Sequence, residues 1–252
     1  MDEIENRETG ANAVIAGIIE YLKERRLQPG DRLPSERDLA ERLGAGRNAV
    51  REALAKLVTL RMVESRSNSG IYLRHVERES SFEALVMLAD MGASPTPTDI
   101  SETLEVRAHL EALATRLACQ RRTEDDLNRL TKIIDDSHAL LLTGGNMVDL
   151  DTEFHIALVD ASHNSVLVRV LNAFYRFTAK RRTVHFADLD QAAISLKDHR
   201  KLVELIRQQD EIKSVALVIK HMNRAAAYWS TLFSTTPKPF KTSKKSSGAK
   251  RQ

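Results

Sequence analysis

The sequence predicts a mainly α-helical protein in two parts, a small N-terminal unit of helices closed by one β-hairpin, then a larger all-α antiparallel helical bundle. Three observations carry this. Proline and glycine are scarce, 6 and 10 in 252 residues, so long stretches can run helical without a break. Apolar residues recur at helical spacing over most of the chain. The clear extended stretches, 62–66 and 71–73 about a Ser-Asn-Ser-Gly turn, fall in the first third.

Each element has a local reason. Residues 11–26 place Val14, Ile18, Tyr21 and Leu22 on one helical face, and Gln28-Pro29-Gly30 ends the helix. Ser35 precedes Asp38 by three residues, a variant of the capping box that starts a helix over 36–43. Gly44 stands where that helix should stop, and Gly46 can cap the next, over 47–59, which turns Val50, Leu54 and Leu57 inward. Two short helices joined by a tight turn and followed by a hairpin make a winged helix-turn-helix over residues 1–75. Residues 76–98 read as a linker with a short helix at 81–91 and a break at Gly92–Pro97. Six helical segments follow, 99–121, 124–142, 147–162, 165–184, 188–208 and 211–233, and form a second domain over 99–234. Residues 235–252, rich in Lys, Ser and Pro, are expected to be a basic disordered tail.

Composition excludes several classes. The single cysteine, Cys119, rules out an intramolecular disulfide and fits a reducing compartment. No stretch approaches the roughly 20 apolar residues of a membrane helix, and the acidic start (Asp2, Glu3, Glu5) is unlike a signal peptide. A cytoplasmic protein with no membrane partner is expected. The net charge of +3 conceals local clustering: residues 236–252 carry +6, and the stretch from Arg42 to Arg74 carries +5. That second cluster coincides with the winged unit, where basic charge meets phosphate.

The helix over 47–59 presents Arg47, Asn48 and Arg51 in its first turn and a half, opposite its apolar side. A recognition helix needs such residues, because a guanidinium fork pairs with guanine O6 and N7 in the major groove. Arg37 is placed to reach a phosphate or base edge, and the turn containing Ser69 and Gly70 to touch the backbone or minor groove. The same arginines could equally form a solvated face. The pattern around them is more specific: Pro29-Gly30-x-x-Leu33-Pro34-Ser35-Glu36-Arg37-x-Leu39-Ala40, then Leu43-Gly44-x-x-Arg47-x-x-Val50-Arg51-Glu52-Ala53-Leu54. It resembles the DNA-binding domain of GntR-family regulators over about residues 11–75. The resemblance implies a homodimer on a double-stranded DNA operator with two-fold symmetry, and Arg37, Arg47, Asn48 and Arg51 as contacts. Two departures stand out. Gly46 replaces the usual Ser or Thr before the recognition arginine, and Arg61-Met62 stands where a Gly is usual before the wing.

In the second domain, Asp151-Thr-Glu-Phe-His155 sets a carboxylate and an imidazole four residues apart on one helix face. The spacing lets both reach one metal ion, but also suits a surface Asp and a structural His. Two later histidines, His199 and His221, lie on separate segments, and spacing alone does not join them. Residues 99–233 resemble the FCD-type ligand-binding domain of the FadR subfamily. That resemblance implies a metal held by Asp151, His155, His199 and His221. Three nitrogens and one oxygen suit Zn²⁺, with Ni²⁺, Mn²⁺ or Co²⁺ also compatible. It also implies a small organic acid effector, with Arg107 facing the same cavity; the residue-level alternative for Arg107 is an i,i+4 ion pair with Glu111. Asn164 resembles a recurrent Asn of the subfamily or simply caps the next helix. His75, His109, His138, His163 and His185 have no matched role, Cys119 reads as a small buried hydrophobe, and Trp229 as packing.

The function expected from these readings is a sequence-specific transcriptional regulator, a repressor, controlled by a carboxylate at a metal-containing cavity, and not an enzyme. Two competing readings are a metal-dependent hydrolase fused to a DNA-binding module and a bundle that only dimerises. Against the hydrolase, no His-Glu-x-x-His supplies paired ligands with a general base.

Overall fold

The computed structural model describes residues 2–92 and 96–234, with side chains for 10–92 and 96–228. The expectations for the tail and for Trp229 lie outside these residues. In chain order the elements are α1 (Asp2–Glu24), α2 (Glu36–Leu43), α3 (Arg47–Thr59), β1 (Val63–Arg66), β2 (Gly70–Leu73), α4 (Val76–Glu79), α5 (Phe82–Asp90), α6 (Pro97–Arg121), α7 (Glu124–Leu142), α8 (Val148–Asp160), α9 (Ser165–His185), α10 (Leu189–Arg207) and α11 (Glu211–Ser234).

In the N-terminal unit α1 packs across α3, and Val14, Ile15 and Ile18 meet Leu39, Val50, Leu54 and Leu57 in one cluster. α1 begins at Asp2 rather than near residue 11; no proline stands in the way, and Gly10 inside a helix costs only about 1 kcal/mol. The Ser35 side chain accepts from the Asp38 amide at 3.2 Å and caps α2, while Gly44 closes it with φ +59°. Gly46 precedes α3 with no side-chain cap. β1 and β2 pair antiparallel from Val63↔Leu73 to Arg66↔Gly70, and residues 30–33 run alongside β2, with Leu33 N–H donating to Ile71 O at 2.8 Å. Arg61 enters the hairpin with φ +57°, the left-handed region that a glycine occupies at no steric cost.

The six long C-terminal helices enclose a core of Leu127, Leu130, Phe154, Leu158, Leu202, Ile206 and Val218. α6 lies along α11 and α8, α7 packs between α8 and α10, and α9 covers α8. Their starts are strongly marked. Thr96 and Asp99 form a reciprocal capping box for α6, Thr123 and Asp126 one for α7, and Asn164 and Asp188 cap α9 and α10. A cap of this kind contributes typically ~1 kcal/mol. Pro97, read from the sequence as part of a break, is the first residue of α6, a position where its missing N–H costs nothing.

Between the two parts lie α4, a single turn not anticipated from the charged stretch, and α5. α5 faces both ways. Ala84 and Met87 join the N-terminal cluster. On the other side the Phe82 ring lies 4.5 Å from Phe174 and 5.8 Å from Phe177 of α9. Lys180 of α9 donates to the carbonyls of Ala89 and Asp90 at 3.0 and 2.9 Å, where a cation is favoured at a helix C-terminus.

Candidate metal centre and nucleic-acid interface

One turn of α8 separates Asp151 from His155, so both side chains leave the same inner face. His199 enters from α10 and His221 from α11. All four are buried, and one ligand atom from each lies within 4.8 Å of the others. Bonds of about 2.0–2.2 Å to a common ion put ligand atoms roughly 3–4.4 Å apart, so small adjustments close the set on one ion. Asp151 Oδ1 is 3.4 Å from His199 Nε2 and 3.7 Å from His155 Nε2. Those three atoms are fully buried with no hydrogen-bond partner. Orphaned buried polar atoms are costly and rare, and three that converge on one point meet the requirements of a cation. The four residues could hold a metal ion, and their three-nitrogen, one-oxygen chemistry fits a borderline divalent one.

The surroundings hold these four side chains in the form a metal would need. The Arg182 guanidinium pairs with Asp151 Oδ2 and with Thr152 Oγ1 at 2.7 Å, leaving Oδ1 for the centre. Burial alone would raise the Asp151 carboxyl, but Arg182 and the facing histidines hold it far below the carboxylate range. Burial and the neighbouring His221 push His199 well below its ordinary value, and burial lowers His221. Both are therefore neutral near pH 7, as ligands must be. The Phe154 ring, adjacent in sequence to His155, stacks on His199.

Beside the cluster a cavity of about 30 Å³ is walled by Arg107, Thr178, Arg181, Arg182, Ser195 and Arg224 together with Asp151, His155 and His221. Arg107 lines it, yet its Nε is 3.4 Å from Glu111 Oε1 and its Nη2 2.5 Å from Tyr175 OH. Both positions considered for Arg107 from the sequence, the cavity wall and the pair with Glu111, coexist. Sequence reasoning missed Tyr175, Arg182, His185, Asp198 and Arg224. His185, given no role, is buried in this wall, with its ring 4.6 Å from Tyr228. No motif spacing marks these residues: Asp198 and Arg224 lie on α10 and α11 beside His199 and His221, but Tyr175, Arg182 and His185 lie on α9, which carries none of the four. His163 instead pairs with Asp126 at 3.0 Å, and Asn164 Oδ1 accepts from the amides of Val166 and Leu167, the capping alternative. Cys119 is buried.

At the other end, Arg47, Asn48 and Arg51 are exposed together at the start of α3, and Arg37 is exposed on α2. Arg51 Nε lies 3.3 Å from Glu36 Oε2, a solvent-screened pair that ties α3 to the residue before Arg37. At the hairpin tip Ser69 Oγ is 2.6 Å from Tyr72 OH. Gly70 has φ +126°, a conformation that L side chains rarely adopt, which favours glycine at the tip; a Cβ there would also displace the flexible end of the Arg32 side chain. Among the described residues, this surface and the Asp/His cluster lie on helices that belong to separate apolar clusters, with α5 packed against the first and against α9.

A winged helix-turn-helix joined to an all-helical domain with a buried Asp/His cluster defines a DNA-binding regulator with an effector domain. Family comparisons agree: residues 11–73 match the model for "Bacterial regulatory proteins, gntR family", and residues 102–224 match the FCD domain. The chain belongs to the GntR family of bacterial transcriptional regulators, with an FCD-type second domain. It is similar to the HTH-type transcriptional regulator LutR of Bacillus subtilis, 35% identical over 60% of this chain and 67% of LutR. It is also similar to the HTH-type transcriptional repressor NanR of Cronobacter sakazakii, 29% identical over 84% of this chain and 82% of NanR. Among solved structures, Lar, described as controlling the Listeria monocytogenes agr system, superposes with a TM-score of 0.56 at 19% identity, covering 88% of this chain and 97% of Lar. At that identity the likeness concerns the fold. Among the described residues, no helix is long and apolar enough to cross a membrane.

Proposed function

We propose that this chain is a transcriptional repressor that binds a two-fold symmetric operator as a homodimer and is released or retained by a small carboxylate effector at a metal-containing cavity. The observation that carries the sensing half is the convergence of Asp151 Oδ1, His155 Nε2 and His199 Nε2, three partnerless buried atoms, beside a cavity walled by arginines. Asp151, His155, His199 and His221 would hold the ion, Zn²⁺ best matching the donor set. Bound there, the ion would offer a Lewis-acidic position to an effector carboxylate. This chain's own part is to orient the effector with guanidinium forks and to exclude water from the buried wall. The repressor assignment is supported by the similarity to NanR, which is named as one.

DNA reading falls to Arg47, Asn48 and Arg51 in the major groove, with Arg37, Ser69 and Gly70 at its edges. Homodimerisation, typical of this family, is supported by the apolar stripe Val106, Leu110, Leu113 and Leu117 along α6. Val106 and Leu113 are exposed, as are Val166 and Val170 on the adjacent α9. Leu110 and Leu117 also pack against the chain's own cluster, so the part left for a second copy to cover is the exposed edge of Val106, Leu113, Val166 and Val170.

The route between the sites runs along α9. Its residues Thr178, Arg181 and Arg182 face the cavity, while Phe174, Phe177 and Lys180 hold α5, which packs into the winged unit. An effector changes operator affinity only if it binds the two arrangements of α9 and α5 unequally.

The test is a gel-shift titration of operator DNA with metal-loaded protein, with and without a panel of hydroxy, keto and sugar acids. A change in DNA affinity that vanishes in His155→Ala/His199→Ala protein is expected. Full response in that variant would favour a metal-independent version, no response even in the wild type would leave a bundle that only dimerises, and turnover of a panel acid would favour the hydrolase.

A further inference from the structure

We infer that Glu111 is the positioning residue of the metal centre: from α6 it accepts a hydrogen bond from His155 Nδ1–H and so holds that ring with Nε2 toward the ion. The inference rests on the metal reading above and adds to it a residue outside the four ligands, together with the device that keeps it in place.

The geometry comes first. Glu111 Oε2 is 3.3 Å from His155 Nδ1, while the other ring nitrogen is one of the orphaned atoms at the centre of the cluster. An ionised carboxylate can only accept, so Nδ1 must carry the proton, and a neutral imidazole then has its lone pair on Nε2. A carboxylate behind a ligating histidine fixes its tautomer and orientation and raises its basicity.

Glu111 is buried completely, 0% exposed, an environment that favours the neutral acid unless charge and hydrogen bonds oppose it. They do. Arg107 Nε faces Oε1, and the Tyr175 hydroxyl donates to the same oxygen while receiving a hydrogen bond from Arg107 Nη2. The guanidinium lies 4.1 Å over the Tyr175 ring. The Arg107 guanidinium and the Tyr175 hydroxyl thus favour the ionised carboxylate against its burial. The result is a continuous chain, Arg107 to Tyr175 and Glu111 to His155, whose first member is part of the cavity wall. An effector carboxylate that draws the Arg107 fork toward itself competes with Glu111 for it, so effector and metal affinities are linked through these four residues.

His221 lacks the same arrangement. Asp198 Oδ2 stands 3.3 Å from its Nδ1, but Arg224 Nη2 stands 3.1 Å from that nitrogen too, so donor and acceptor compete there. Of these two, His155 has its outward nitrogen facing an acceptor with no competing donor beside it among the described residues.

The experiment measures Zn²⁺ affinity by competition with a chromophoric chelator, and the visible ligand-field spectrum of the Co²⁺-loaded protein, for the wild type, Glu111→Gln, Tyr175→Phe and His199→Ala. Circular dichroism of each metal-free protein monitors the fold. Glu111→Gln should remain helical, bind Zn²⁺ 10–100-fold more weakly, and shift the Co²⁺ bands. Should that variant fail to fold with Arg107 left unpaired, Tyr175→Phe, which removes one donor and no charge, should still weaken Zn²⁺ several-fold. Wild-type affinity and an unchanged Co²⁺ spectrum in the folded variants would overturn the assignment while His199→Ala still abolished binding. Absence of Zn²⁺ and Co²⁺ binding by the wild type would overturn the metal reading itself, and the assignment with it.

Discussion

The ring of Phe154 lies flat on the ring of His199, with centroids 3.9 Å apart and planes 10° from parallel. Phe154 thus fixes the tilt of a candidate metal ligand carried by another helix, as well as filling the core between α8 and α10. Phe154→Leu keeps an apolar group there but removes the flat support. Metal-free stability should fall by about 1–2 kcal/mol, within the range for core substitutions, and Zn²⁺ affinity should drop several-fold. Loss of stability with unchanged Zn²⁺ affinity would reduce Phe154 to packing.

The buried histidines make the metal-free protein acid-sensitive. His199 is held well below the ordinary histidine value of 6.5 by burial and His221, which outweigh the facing Asp151. Above pH 6.5 folded and unfolded chains both carry it neutral. As pH falls below that, the unfolded chain takes up a proton that the folded one refuses, so stability declines toward the folded pKa. Melting temperatures of chelator-treated protein should therefore fall between pH 7.5 and 5.5, and less steeply in His199→Gln. Identical slopes for the two proteins would contradict this.

Arg61 sits in the left-handed region, φ +57°, in the turn between α3 and β1. For a residue with a side chain that conformation costs about 1–2 kcal/mol, partly offset in glycine by greater entropy when unfolded. Arg61→Gly should raise the urea midpoint by an amount worth up to about 1 kcal/mol. A lower midpoint would mean that the Arg61 side chain makes a stabilising contact of its own.

On the DNA side, Arg47→Ala or Arg51→Ala should narrow the gap between operator and random DNA by about 1–3 kcal/mol for each lost bidentate contact. Arg37→Ala should instead weaken both and flatten the salt dependence, if it meets phosphate. Gel shifts at two salt concentrations separate the cases. Unchanged operator preference in both α3 variants would remove them from the base-reading set.

Coupling has its own signature. Lys180→Met removes the hydrogen bonds to the end of α5 while leaving the cavity wall intact. Effector binding measured calorimetrically should persist, and its effect on operator affinity should shrink. An undiminished effect would route the signal elsewhere.

Much of the fold was legible because its signals are local. Ser35 and Asp38, Gly44, and the Gly-containing wing turn mark their element ends through bonds spanning three or four residues, and the observed limits of α2, α3 and α7 coincide with those read from the sequence. The starts of α1 and α6 differed because neither Gly10 nor Pro97 obstructs a helix where it stands. Of the candidate site, the pair Asp151 and His155 was visible as one helical turn, whereas His199 and His221 were joined to it only by family resemblance.

By itself, then, the sequence determined the two-part helical architecture, the exposed basic start of the recognition helix and the family, since periodicity, caps and motif spacing act within a few residues of chain. Tertiary structure decided which distant side chains share a buried point. Glu111 behind His155, Arg182 on Asp151 and Phe154 against His199 are contacts between α6, α8, α9 and α10. Such contacts follow from how helices pack, and packing depends on the whole apolar surface of each helix, which no local spacing encodes.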